Sequence, residues 1–364
     1  MSSTASIDQL IPIPDTVAKV AYQSFQQGKE VFGFAHKVIS SQLAQFFAPE
    51  YDRQVKSLDP QILLKIQQRI NQLLEVDWQD AERGVYPATL LFDHPWEDFL
   101  RYYPAVWLDM PSIWERIQSK QYQSFSPEID REGYPQYYLQ NFHHQTNGYL
   151  SDLSANLYDL QVELLFNGMA DAMRRRILSP LKEGLKAFAA TPARQVRVLD
   201  IACGTGRTLR MLRATLPKAS LFGTDLSPAY LRKANQFLSE KPGELPQLLQ
   251  ANAEELPYTD NFFHGVTSVF LFHELPASAR QRVIEEAFRV TMPGGTFVIC
   301  DSIQELDYPE FKPMMENFPA LFHEPYYRHY VTDNLSDRLM SAGFTDLCTE
   351  NHFMSKYWVA HKPA

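Results

Sequence analysis

Cysteine is scarce in this chain. Cys203, Cys300 and Cys348 are the whole complement in 364 residues, and their spacing gives neither a disulfide framework nor a zinc pattern, which points to a reducing, cytoplasmic setting. Basic charge is short too: 34 Lys and Arg stand against 43 Asp and Glu, a net charge of −9. A surface of that sign offers no field for phosphate backbones, so no nucleic-acid partner is expected. No run of eighteen apolar residues occurs, so no transmembrane segment is expected, while peripheral contact with a membrane stays open. The opening MSSTASIDQLIPIPD lacks the basic and apolar regions of a secretory signal and reads as a short lead. No carboxylate–histidine set accompanies the adjacent His143 and His144, which point apart in regular structure, so no metal site is expected. One further absence decides more than these. The turn Gly204-x-Gly206 is followed by Leu209 where a dinucleotide fingerprint needs its third glycine, which counts against an NAD-dependent oxidoreductase.

What is present is concentrated in Val196 to Thr208, VRVLDIACGTGRT. Val196, Val198, Leu199 and Ile201 read as a buried parallel strand, and Ala202-Cys203-Gly204-Thr205-Gly206 supplies small residues where backbone must turn sharply and approach a ligand. In Asp200-x-Ala202-x-Gly204-x-Gly206 an acid precedes the first small residue. A carboxylate there suits an ammonium group, such as the methionyl end of S-adenosylmethionine, and would be misplaced beside a pyrophosphate. The next strand, Ser220 to Asp225, ends in an acid nineteen residues after Gly206, close to the spacing of a carboxylate that takes both ribose hydroxyls. A third element, Pro246 to Leu249, leads into the polar turn at Asn252 and Ala253, where an adenine edge needs a hydrogen-bond partner.

From about residue 155 onward the chain resembles a class I S-adenosylmethionine-dependent methyltransferase, similar to the ubiquinone and menaquinone biosynthesis type. VLDIACGTG, GTDLS, NAEELPYTDNFF, HGVTSVFLFHEL and FRVTMPGGTFVICD occur in that family's order, and SANLYDLQVELLFNGMADAMRRR, with Tyr158 and Asp159, resembles its helical lead-in. Asn252 stands where the family often has Asp, and His264-Gly265 replaces the usual Phe-Asp start of strand four. The resemblance implies an α/β fold, a doubly wound Rossmann-like seven-stranded sheet, with S-adenosylmethionine as cofactor. The cofactor-binding residues expected are Asp200, Ala202, Cys203, Gly204, Gly206, Asp225, Leu226, Asn252, Ala253 and Phe270. The closing segments Phe344 to Asn351 and Ser355 to His361 read as the antiparallel hairpin that completes the sheet.

These motifs divide the chain into a mostly helical, aromatic-rich extension at 1–150 and a methyltransferase domain at 151–364. Val17, Val20, Ala21, Phe25, Phe32, Ala35, Ile39, Leu43 and Phe46 recur at mostly helical spacing, with Gly28 and Gly33 as weak points and Pro49 as a stop. Asp59-Pro60 caps a second amphipathic helix through Ile62, Leu63, Ile66, Ile70, Leu73 and Leu74. Residues 94–150 hold thirteen aromatics broken by five prolines, a compact but irregular segment that can supply flat apolar walls. Arg174-Arg175-Arg176 reads as a solvated helix face.

Methyl transfer from a sulfonium is mostly positioning and electrostatics, so a base is needed only where the acceptor is weakly acidic. His273, just after strand four in FLFHELP, is the candidate base. Tyr138, His143, His144 and Tyr158 before the core, and His323, Tyr326 and Tyr327 in the aromatic insertion at 303–330, are the expected acceptor-pocket residues, the insertion forming a mobile wall rather than a regular helix. The acceptor expected is a small, largely apolar, ring-containing molecule methylated at carbon or oxygen. The alternative is a non-catalytic scaffold that binds S-adenosylmethionine or serves assembly.

Overall fold

The computed structural model describes residues 15–47 and 59–364. The lead before residue 15, the stop at Pro49 and the side chain of Phe46 lie outside the described residues. Seven strands form one sheet: β1 (Arg197–Ile201), β2 (Ser220–Asp225), β3 (Gln247–Gln250), β4 (Phe263–Val269), β5 (Thr291–Ser302), β6 (Thr345–His352) and β7 (Ser355–His361), in the order β3-β2-β1-β4-β5-β7-β6. β1 to β5 run parallel, and β7 lies antiparallel between β5 and β6. Chain order reverses beside β1, so the carboxyl ends of β1 and β4 open a crevice, the position at which doubly wound sheets bind ligands.

The helices follow in chain order. α1 (Asp15–Phe47), α2 (Pro60–Glu82) and α3 (Trp96–Ser119) belong to the extension. α4 (Asp152–Leu165), α5 (Ala170–Arg175) and α6 (Leu178–Gly184) lead into β1. α7 (Arg207–Thr215), α8 (Pro228–Ser239) and α9 (Ala277–Val290) connect strands, and α10 (Lys312–Leu321), α11 (Tyr327–Tyr330) and α12 (Leu335–Ala342) fill the passage from β5 to β6. Two expected irregular segments are partly regular: residues 96–119 continue as helix through Pro104 and Pro111, and the insertion contains α10 with Pro313 in its first turn, where the missing N–H costs nothing.

Alternation along the strands sorts the core into two layers. Leu199, Ile201, Phe297 and Ile299 face one side with Ile70 and Leu73 of α2, while Val198, Leu221 and Val298 face the other with Tyr22, Trp78 and Tyr86. Both layers therefore recruit residues of the extension. Each such side chain, fully buried, contributes about 1.5–3 kcal/mol. α2 begins as expected, with the Asp59 side chain accepting from Gln61 N–H and Pro60 following.

α1 departs from its expected orientation. Its buried stripe is Tyr22, Gln26, Lys29, Gly33 and His36, whereas Val17, Val20, Phe32, Ile39 and Leu43 are exposed. The polar stripe faces inward because Tyr22, Lys29 and His36 meet partners there, while the Gln26 Oε1 atom has no hydrogen bond among the described residues. Tyr22 donates to Asp77 at 2.5 Å, Lys29 lies 3.5 Å from Glu163, and His36 contacts the Tyr103 hydroxyl. Gly33 is no weak point: a Cβ there would stand 2.9 Å from the Asn167 Cα, so glycine permits the close crossing.

The three consecutive arginines are likewise buried, not solvated. Arg175 pairs with Asp77 at 2.6 Å, Arg176 with Asp77 at 3.2 Å and with Asp80, and Arg174 with Asp171 at 3.1 Å. Tyr22 and Tyr86 complete the shell around the Asp77 carboxylate. Removing one partner of a buried charge set strands the others without solvation. Asp77→Ala is therefore expected to lower stability by about 3–5 kcal/mol in urea unfolding, whereas Val31→Ser on the exposed face of α1 changes it by under about 0.5 kcal/mol. Equal effects of the two would contradict this account of the interface.

Candidate active site

At the carboxyl end of β1 the backbone turns through Ala202 and Gly204, each with φ of +55°. The Gly204 N–H donates to Asp225 Oδ2 at 2.9 Å, and the Ser227 N–H donates to Oδ1 at 2.8 Å, so one carboxylate ties the end of β2 to the turn after β1. Burial pushes Asp225 up to about 6, against the lowering effect of those two N–H groups. Above these ends lies a cavity with an empty volume, mouth included, of about 790 Å³. Its lining combines Ala202, Gly204, Asp225, Leu226, Asn252 and Ala253 at the strand ends with the ring group Tyr137, Tyr138, Phe142, Tyr149, Tyr158 and Tyr230, and with Phe270, Leu271 and Glu274 after β4.

The expected residues thus divide. Seven cofactor candidates, Ala202, Gly204, Asp225, Leu226, Asn252, Ala253 and Phe270, lie on the cavity wall. Asp200, Cys203 and Gly206 do not. Asp200 points into the sheet, accepting from Thr267 Oγ1 at 2.7 Å, and burial raises it to about 7. The Cys203 thiol packs beneath Gly223, and Gly206 (φ +82°) caps α7 against Ala234 and Leu238. Gly206 therefore serves helix packing rather than ligand approach.

Of the acceptor candidates, Tyr138 and Tyr158 reach the wall. His144 turns away beside Tyr122, with burial lowering it to about 3. His323 stacks on Tyr122 and bonds Gln140; Tyr326 takes a hydrogen bond from Gln140; Tyr327 meets the Ser302 hydroxyl. The insertion contributes none of the cavity's lining residues and packs instead against Tyr122 and Gln140 through His323 and Tyr326. Sequence reasoning missed Tyr230 in α8, and it passed over Glu274 for its neighbour His273. It read residues 94–150 as a source of flat apolar walls without assigning Tyr137, Phe142 or Tyr149 to the cavity.

His273 does not suit the role of base. Its Nδ1 lies 2.7 Å from Asp301 Oδ1, and although burial opposes charge, the Asp301 carboxylate pushes the imidazole up to about 10. A ring held as a cation near neutrality has no lone pair to offer. Glu274, by contrast, lines the cavity, accepts from the Tyr149 hydroxyl and lies 3.6 Å from His143 Nε2. The same nitrogen stands 3.0 Å from Glu324 Oε1. His143 is thereby accompanied by two carboxylates, contrary to expectation, because Glu274 and Glu324 arrive from 131 and 181 residues farther along the chain.

The residues present fit S-adenosylmethionine. Asp225 offers two oxygens for ribose hydroxyls, and a Cβ on Gly204 would meet nothing nearer than Tyr230 at 3.9 Å, so the turn leaves room against its backbone. The tyrosine rings that line the cavity suit a sulfonium. Comparison with known proteins agrees. Residues 198–295 match a family described as a methyltransferase domain. A demethylmenaquinone methyltransferase of Anoxybacillus flavithermus is 27% identical over 187 residues, covering 46% of this chain and 78% of the relative. One from Thermus thermophilus is 33% identical over 144 residues, covering 40% and 60%. Among solved structures, a putative methyltransferase of Bacillus halodurans aligns with a TM-score of 0.39 at 20% identity, over 51% of this chain and all of that one. The protein is an S-adenosylmethionine-dependent methyltransferase that carries a methyltransferase domain at residues 198–295 and is similar to the ubiquinone and menaquinone biosynthesis type.

Proposed function

We propose that the protein methylates carbon or oxygen of a small, largely apolar, ring-containing acceptor of quinol or isoprenoid-linked type, bound against the tyrosine wall. The observation that carries this reading is the make-up of the cavity. The methyltransferase core supplies the strand-end part of its lining, and Tyr137, Tyr138, Phe142 and Tyr149 of the segment preceding the core supply most of its rings. Flat aromatic walls with few charges favour a flat apolar ring over a phosphorylated or peptidic acceptor. The names of the demethylmenaquinone methyltransferase relatives support the same class. On this reading the boundary near residue 150 divides two contributions to one site rather than two independent modules. No helix among the described residues is long and apolar enough to cross a membrane.

S-adenosylmethionine supplies the transferable methyl group on a sulfonium. The chain's own part is to orient and to desolvate. Asp225 fixes the ribose, the turn at Ala202 and Gly204 admits the ligand against backbone, and the tyrosine faces exclude water from the line of transfer.

Two outcomes test the cofactor side. Asp225→Ala is expected to weaken binding of S-adenosylmethionine by about 1–3 kcal/mol in calorimetric titration, through loss of charge-assisted bonds. In the wild type the affinity should hold above pH 7 and fall as the pH drops through about 6, where the buried carboxyl takes up a proton and loses the charge that accepts the ribose hydroxyls. Affinity independent of both would remove Asp225 from the site. For the acceptor, labelled S-adenosylmethionine incubated with a lipid-soluble extract of the source cells should label one ring-containing product identifiable by mass spectrometry. Label confined to protein or RNA would reject the small-molecule reading.

A further inference from the structure

Glu274, His143 and Glu324 form a connected set that reaches from the cavity wall into the interior, with each member on a different segment. Glu274 lines the cavity just after β4, and its Oε1 takes the Tyr149 hydroxyl proton as a hydrogen bond. His143 sits in a turn with φ of +53°, a conformation costly for a non-glycine residue. Asn141 holds the segment in place, accepting from Ser124 N–H at 2.7 Å and donating to Ser124 O and Gln145 O. The result is that His143 Nε2 faces Glu274 at 3.6 Å and Glu324 at 3.0 Å. Glu324, 2% exposed, has no well-formed hydrogen bond to either oxygen among the described residues. Phe318 and Phe322 cover the imidazole edge-on.

Charge in this pocket is incomplete. His273 and Asp301 neutralise one another, and Asp301 is satisfied further by the Phe272 and Ser302 N–H groups. That leaves two carboxylates sharing one imidazole, a set that is one proton short of neutral when His143 is protonated. Buried groups so coupled titrate as a unit and take up a proton readily. Methyl transfer releases one proton from the acceptor, and the cavity wall must dispose of it away from water.

We propose that Glu274, His143 and Glu324 are the proton-accepting site of the transferase, with Glu274 taking the acceptor's proton and His143 moving it to Glu324. The inference rests on reading this cavity as a methyl-transfer site. In the balanced step, the acceptor atom forms a bond to the methyl carbon, the sulfur–methyl bond breaks with its electron pair left on sulfur, and S-adenosylhomocysteine remains. The proton lost by the acceptor goes to a Glu274 oxygen. His143 Nε2, facing both carboxylates, then gives its proton to Glu324 and takes the one on Glu274. No other reactant is needed. Burial pushes Glu324 up to about 7, against the lowering effect of His143, and His143 itself is raised above its ordinary value by Glu324 and Glu274 despite burial. The other titratable groups facing the set are His273 and Asp301 behind Glu274, Asp225 within reach of Glu274, His144 and His323 near His143, and the hydroxyls of Tyr149, Tyr158 and Tyr327. A set whose proton uptake lies near 7 accepts a proton above that pH and is already filled below it.

The test uses the full chain with S-adenosylhomocysteine bound for titration, and labelled S-adenosylmethionine with 1,4-dihydroxynaphthalene as probe acceptor for turnover. By nuclear magnetic resonance, His143 should titrate above its ordinary value in the wild type and at least one pH unit lower in Glu324→Gln. Glu274→Gln should lose about 100-fold or more in kcat with S-adenosylhomocysteine affinity unchanged. Glu324→Gln should move the acidic limb of the rate profile from near 7 to lower pH. Unchanged His143 titration, an unmoved limb or a Glu274→Gln rate equal to the wild type overturns the inference. So does a divalent cation bound stoichiometrically by the wild type and lost in Glu324→Gln. If the wild type leaves the probe unmethylated, the acceptor reading fails for this ring class, and the His143 titration alone decides the proton site.

Discussion

The hydrogen bond from the Gly204 N–H to the Asp225 carboxylate is the constraint on which the site depends. It joins the ends of two adjacent parallel strands, β1 and β2, beside the β1–β4 crevice where the sheet's chain order reverses, and Ala202 and Gly204 adopt left-handed backbone in the turn. A carboxylate so held is desolvated yet still faces the cavity, a costly arrangement unless a hydroxyl-bearing ligand completes it. The sheet can supply only one wall of such a cavity. The other must come from elsewhere in the chain, and Tyr137 to Tyr158 provide it as a nearly continuous tyrosine surface.

The extension reaches that position through charge as much as through apolar contact. Asp77 and Asp80 of α2 meet Arg175 and Arg176 of α5, Lys29 of α1 meets Glu163 of α4, and Asp171 of α5 meets Arg207 at the start of α7. Buried pairs contribute little net stability over well-packed apolar residues, but they reject misregistered packing, since a displaced partner leaves a bare charge. Such pairing fixes where α4 lies, and α4 carries Tyr158 to the cavity and Asp159 to the Thr205 hydroxyl of the glycine turn. Because α1 spends its polar stripe inward, its apolar residues Val31, Phe34 and Val38 face out.

The sheet and its sequence of motifs were legible because parallel strands announce themselves as apolar runs closed by small residues and acids, as at VLDIACGTG and at Ser220 to Asp225. What was not legible follows from interactions distant in sequence. The hydrophobic spacing of α1 suggests the wrong inward face, since nothing local marks Tyr22, Lys29 and His36 as having partners at Asp77, Glu163 and Tyr103. Arg174 to Arg176 look solvated until Asp77 and Asp80 of α2 meet Arg175 and Arg176, and Asp171 and Asp159 meet Arg174. At FLFHELP both His273 and Glu274 carry chemistry, and only the position of Asp301 shows that the histidine is committed to an ion pair while its neighbour lines the cavity. Asp200 has the residue type expected of a ligand contact, but Thr267 on the neighbouring strand claims it.

The most direct measurement of the central claim is a crystal structure of the full chain with S-adenosylhomocysteine. The account predicts the ribose hydroxyls on the Asp225 carboxylate, the adenine toward Asn252 and Ala253, and the sulfur directed at the space between Tyr149, Tyr158 and Glu274. A ligand seated away from Asp225, or a sulfur directed away from the tyrosine wall, would contradict it.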